Sequence, residues 1–178
     1  MNRELRKYQF GFWYNLKSSP VGQLIGIEGA AALIISPAAA FLCHKFLSVE
    51  ERISLANDLL GTTTGILGVL FAAFAIVAAL LSDSYSRFIQ RSTGRIHSFY
   101  SPFIIVIGVA IGTIFSIISY KAFSKHLPTP WEIAFFGATT FLFSYTLLNV
   151  LALARNMFAH GVTRVLLLEI ESPVEREE

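Results

Sequence analysis

The stretch Leu59–Leu81, LLGTTTGILGVLFAAFAIVAALL, runs for 23 residues without a single charged side chain. A helix rises about 1.5 Å per residue, so ~20 apolar residues cross the ~30 Å hydrocarbon core of a bilayer. Leu59–Leu81 has both the length and the composition for that crossing. Three further stretches share them: Val21–Cys43, Pro102–Tyr120 and Ile133–Ala154. A membrane β-barrel would need segments of about 10 residues with alternating polarity, and the chain has no such pattern. The expected fold is therefore all-α, an integral membrane four-helix bundle.

Composition points the same way. The chain has 178 residues, 54% of them apolar and 15% charged. Charges cluster between the four stretches and avoid them almost completely, as a hydrocarbon environment requires. A net charge of +2 argues against a nucleic-acid surface. Cys43 is the single cysteine, so an internal disulfide and a cysteine-based metal or redox centre are both excluded. The run Ala38–Ala40 offers small residues of the kind that flank a signal-peptide cleavage site. However, the first stretch exceeds a usual signal core and carries Glu28. Leu42 precedes Cys43 where a lipoprotein signal would want a small residue. We read Val21–Cys43 as a retained membrane helix.

Lysine and arginine set the expected orientation. Arg3, Arg6, Lys7, Lys17, Arg87, Arg91, Arg95, Arg155, Arg164 and Arg176 fall on one side of the four stretches. Lys45, Arg52, Lys121 and Lys125 fall on the other. The positive-inside rule then places both termini and the middle loop in the cytoplasm. Tyr8, Phe10, Phe12, Trp13 and Tyr14 suit the inner interface, and Trp131 the outer end of the fourth helix. Three regions follow: a cytoplasmic or interfacial segment 1–20, a four-helix domain 21–159, and a cytoplasmic segment 160–178.

The connections carry local signals. Ser48 followed by Glu51 predicts a capping box, with Val49, Ile53 and Ala56 forming an apolar face. That short helix either lies on the membrane or continues into the second span. Pro128 and Pro130 forbid an unbroken helix through the second outer loop. Gly161 is expected to interrupt the pattern after the fourth span. Val162–Ile170 is then a strand, an interfacial helix or a helix extension, followed by an acidic tail rich in glutamate. No internal repeat supports an inverted-repeat transporter.

Within the second stretch, Gly61, Gly65, Gly68, Ala72, Ala75 and Ala79 form one smooth stripe. Leu67, Leu70, Phe74, Val77 and Leu81 face the other way. Gly108, Gly112 and Ser116 repeat the arrangement in the third stretch. Small residues let helix backbones approach closely in lipid. The stripes either pack one bundle together or seal a contact between subunits. Four helices enclose little volume, which favours a homo-oligomer.

Polar groups inside the spans are few. Glu28 lies about 10 Å from the inner boundary by helical rise, and a charge there needs a partner. Side chains lean toward their own helix N-terminus, so Glu28 on the first helix and Arg155 on the fourth lean toward each other, with Asn149 at similar depth. The trio Glu28, Asn149 and Arg155 reads as a clamp between helices, as a site of proton or ion movement, or, for Glu28, as a snorkelling charge. Ser36–Pro37 is expected to bend the first helix. Thr62, Thr63 and Thr64 form a polar collar whose hydroxyls bond back to their own helix or line a pore mouth.

Enzyme constellations are missing from the sequence: no paired aspartates, HExxH box or glycine-rich phosphate loop. His44, His97, His126 and His160 are divided between the two sides. We therefore expect no catalytic residues, no metal and no cofactor. Arg87, Arg91 and Arg95 at helical spacing, beside Tyr85, Phe88 and Phe99, make a cytoplasmic basic stripe suited to lipid headgroups, a nucleotide or an acidic partner.

The segment Gly65–Arg91, GILGVLFAAFAIVAALLSDSYSRFIQR, together with the four-helix layout and short loops, resembles the small membrane subunits of bacterial anti-phage defence systems of the Kiwa type. That resemblance implies an oligomeric membrane sensor or effector with a cytosolic protein partner. It carries no motif from which binding residues follow. The reading that results is a non-enzymatic, oligomeric inner-membrane subunit that senses or perturbs the membrane and docks a cytosolic protein, with lipids as its other partner. The rival is an ion channel or small-solute transporter that uses Glu28.

Overall fold

The computed structural model describes residues 21–80 and 97–171. The segment 1–20, the stripe Arg87, Arg91 and Arg95, and the tail 172–178 lie outside the described residues. Four long helices carry the described chain: α1 (Val21–Phe46), α2 (Val49–Leu80), α3 (His97–Phe123) and α4 (Thr129–Glu171). A 3-10 turn, Ser124–His126, follows α3. Each of the four contains a stretch long and apolar enough to cross a membrane: Gly26–Phe46, Val49–Val77, Ser101–His126 and Thr129–Ala159. Their outward surfaces are correspondingly apolar, with Ile34, Phe41, Val69, Phe115 and Leu151 all exposed. These features indicate a multi-pass membrane protein.

The helices are longer than hydropathy alone suggests, for local reasons. At the start of α2, Glu51 Oε2 accepts from the Ser48 amide at 2.7 Å, and the Glu51 amide donates to Ser48 Oγ at 3.3 Å. That reciprocal cap starts one continuous helix of 32 residues, so the Val49–Ala56 segment is the first part of the second span's own helix. Leu127 takes an extended conformation (φ −86°, ψ 140°) before Pro128 and Pro130, and α4 starts at Thr129. Gly161 does not end α4, so of the three alternatives for the segment after it the helix extension is the one found. A glycine costs a helix about 1 kcal/mol, too little by itself to stop a helix that meets no proline before Pro173. Val162–Ile170 is thus a helix extension, and the 43 residues of α4 make a rod about 65 Å long.

α1 also carries a break that the sequence reading did not place. Pro37 sits inside the helix, while the non-helical residue is Gly26, with φ 21° and ψ −168°. Glycine lacks the Cβ that would oppose such a backbone. The Ser36 hydroxyl donates to the Ala32 carbonyl, one turn back.

Packing follows the order α1–α4–α3–α2, each helix lying along the next, whereas α1 and α2 make little contact despite being neighbours in sequence. The buried face of α1 is a row of small residues, Gly29, Ala32, Ser36 and Ala40. A Cβ built on Gly137 of α4 would lie 3.5 Å from the Ala40 Cβ, so the two backbones approach closely. Two apolar clusters fill the bundle. At the end holding both short connections, here the hairpin end, Ala40, Ala56, Ile117, Tyr120 and Phe136 bring all four helices together. At the far end Leu70, Val77, Phe103, Val106 and Leu153 join only α2, α3 and α4. Phe74 meets Phe103 edge-on there, at 5.6 Å between centroids.

Candidate functional site

The most developed polar site lies at the hairpin end and joins residues far apart in sequence. Arg52 on α2 and Glu132 on α4 form a two-pronged ion pair. Arg52 Nε donates to Glu132 Oε1 at 3.0 Å, and Nη2 to Oε2 at 2.7 Å. Their side chains are only 4% and 2% exposed. The third arm, Nη1, donates to the Leu47 carbonyl at 2.6 Å, in the connection between α1 and α2. Tyr120 of α3 donates its hydroxyl to Glu132 Oε1 from a fully buried ring, which packs on Phe135 and Phe136. One guanidinium therefore fastens a connection and two helices, and a third helix joins through Tyr120.

This arrangement follows from charge chemistry. A buried carboxylate is tolerated only when its lone pairs are filled, and the flat guanidinium fork fills two at once. Tyr120 fills a third. The capping box starts α2 at Val49 and so puts Arg52 one turn inward, facing α4. The proline-rich turn starts α4 at Thr129 and puts Glu132 in its first turn.

A seam of hydroxyls continues from this cluster along the α3–α4 contact. Ser116 pairs with Thr139 at 2.9 Å, and Thr113 with Thr146 at 2.9 Å. The one hydrogen of the Thr113 hydroxyl also has the Val109 carbonyl at 2.9 Å and the Leu142 carbonyl at 3.2 Å as alternative acceptors. Glu132, Thr139 and Thr146 recur every seven residues, and Thr113 and Tyr120 are likewise seven apart. That spacing keeps each set on one helix face. Sequence reasoning missed this site, treating Arg52 as a loop cation and Glu132 not at all, although the sevenfold spacing was there to be read.

The residues singled out from sequence take these positions. Glu28 Oε1 and Arg155 Nη2 are 3.6 Å apart, with the Arg155 side chain 75% exposed. Asn149 Nδ2 donates to the Tyr145 carbonyl at 2.8 Å, a bond within its own helix. Thr62, Thr63 and Thr64 donate to the Asp58, Leu59 and Leu60 carbonyls at 2.7–2.8 Å, so the collar hydroxyls are held by α2 itself. Gly61, Gly65, Gly68, Ala72 and Ala75 are all exposed. A Cβ on Gly61, Gly65, Gly68 or Gly112 would meet nothing within 4 Å. In the single chain these five residues of the α2 stripe face outward rather than against another helix. The close helix contact uses α1 instead, through Gly29, Ala32, Ser36 and Ala40. Gly108 is half-buried on α3, and Ala79 lies near the end of α2.

Taken together, the fold and this site describe an all-helical protein with four membrane-length helices and a buried ionic lock at one end. No family model, curated protein or solved structure matches the chain.

Proposed function

We propose that this protein is a non-enzymatic, homo-oligomeric subunit of a bacterial inner membrane, which senses or perturbs the bilayer and docks a cytosolic protein. The observation that carries the reading is the exposed small-residue face of α2. A lipid-facing helix gains dispersion contacts from bulky side chains, yet here Gly61, Gly65, Gly68, Ala72 and Ala75 leave the backbone bare. Close approach of a second copy gives that face its contacts, in the way the α1 row gains them from α4.

Orientation follows from the ten cationic residues on one side against four on the other. The lock at Arg52, Glu132 and Tyr120 then faces the periplasm, and the α4 extension reaches into the cytoplasm. There it joins the basic stripe Arg87, Arg91 and Arg95 and the acidic tail as surfaces for lipid headgroups and for a protein partner. The resemblance to membrane subunits of anti-phage systems agrees with this role and suggests defence as its setting.

The test uses mass measurement of the protein in mild detergent or nanodiscs. A multiple of 19.7 kDa is expected. Gly65→Leu and Gly68→Leu should reduce it to one copy while leaving helicity unchanged, because open space surrounds both positions in a single copy. A wild-type protein that runs as a monomer refutes the proposal.

A further inference from the structure

Among the described residues two Arg–Glu pairs join helices, and their geometries are opposite. Arg52–Glu132 at the hairpin end is forked and buried. At the far end Glu28 Oε1 and Arg155 Nη2 stand 3.6 Å apart, beyond hydrogen-bond length, with side chains 26% and 75% exposed. An exposed pair of this kind contributes little to stability, so exchanging it for the opposite charges of a ligand costs little.

Its position says which ligand is at hand. Arg155 directly follows the apolar stretch Ile133–Ala154 and so stands at the edge of the hydrocarbon. It lies about five turns beyond Gly137, on the line of α4 that meets α1. Glu28 leans toward the N-terminus of its own helix, which brings its carboxylate up to the same level. The other carboxylate oxygen, Oε2, rests over the break in α1: a Cβ built on Gly26 would stand 2.7 Å from it. The bare glycine, with φ 21°, makes room for the carboxylate there. An anion and a cation are thus presented side by side, partly open, at the depth of lipid headgroups.

We propose that Glu28 and Arg155 seat the headgroup of one zwitterionic phospholipid whose amine keeps its N–H donors, as in phosphatidylethanolamine. The phosphate lies on Arg155, because a guanidinium meets phosphate oxygens with two parallel bonds. The ammonium lies on Glu28, because a carboxylate accepts from the N–H groups of a primary ammonium. Phosphatidylcholine carries no N–H on its nitrogen, and phosphatidylglycerol carries no positive charge. Each satisfies only the Arg155 half of the seat. The inference needs the membrane crossing alone and not the oligomer.

Native mass spectrometry of the delipidated full chain, titrated with these three lipids on matched acyl chains, tests the assignment. Phosphatidylethanolamine should bind tightest, by about fivefold or more. Arg155→Gln should weaken all three lipids, whereas Glu28→Gln should lower phosphatidylethanolamine to the level of phosphatidylcholine. Equal affinities in the wild type, a preference for phosphatidylglycerol, or a Glu28→Gln variant that keeps the wild-type preference overturns the seat. The wild-type comparison decides by itself should either substitution upset folding. Free phosphoethanolamine at the same concentration should leave the bound lipid in place. Its displacing the lipid would make the ligand a soluble phosphate and refute the lipid assignment.

Discussion

Replacing Arg52 by methionine removes the charge but keeps most of the side-chain volume. Glu132 would then stay 2% exposed with its guanidinium gone. Breaking one side of a buried pair costs about 3–5 kcal/mol, because the other charge is left uncompensated. At about 2–4 °C per kcal/mol for a chain of this size, Tm should fall by roughly 6–20 °C. The companion variant Arg52→Met with Glu132→Gln separates charge from packing. Glutamine keeps an amide oxygen for the Tyr120 hydroxyl and carries no charge to strand. The Leu47 carbonyl then lacks its donor and the glutamine NH2 faces methionine, each costing about 1 kcal/mol, so the double variant should recover part of the loss. Thermal unfolding in detergent, followed by intrinsic fluorescence from Trp13 and Trp131, gives both numbers. A double variant no more stable than Arg52→Met refutes the reasoning, and so does a single variant within about 2 °C of wild type.

Gly137→Leu should wedge α1 from α4, since even a Cβ there reaches ordinary contact with Ala40, and overpacking costs about 1–3 kcal/mol; Gly137→Ala should be tolerated, and paired melting curves make the comparison. Thr113→Val should lower stability by about 0.6 kcal/mol, the average for hydrogen bonds between membrane helices, and a double-mutant cycle with Thr146→Val should show that the two effects are not additive. Glu28→Gln should change Tm by no more than about 2–4 °C, because a 3.6 Å pair with a largely exposed arginine is worth about 0–1 kcal/mol. The same variant tested in liposomes should leave ion leakage unaltered, whereas wild-type ion flux abolished by Glu28→Gln would favour the channel reading instead.

The four spans were legible because apolar length is a composition property, and a window of residues such as Leu59–Leu81 displays it directly. Helix ends were less so. Hydropathy falls near Ala154, yet the α4 backbone runs on to Glu171, since continuity depends on proline and capping rather than on apolarity. The break at Gly26 was equally hidden, because one glycine in sequence does not reveal whether its backbone turns. The capping box at Ser48 and Glu51 was readable, being a local exchange of two hydrogen bonds. The pair Arg52–Glu132 spans 80 residues, and only tertiary packing brings its members together. Small-residue rows posed a different problem. Those of α1 and α2 look alike on a helical wheel, and which one is covered depends on the order in which the helices pack.

The unbroken run of α4 has a mechanical consequence. A helix with no hinge between Thr129 and Glu171 is a stiff lever arm, anchored near one tip by Glu132. Tilting a rod about 65 Å long by about 10° sweeps its free tip through about 11 Å. A small change of tilt set at the anchored end therefore reaches the opposite tip as a displacement of several ångströms, without any rearrangement of the rod itself.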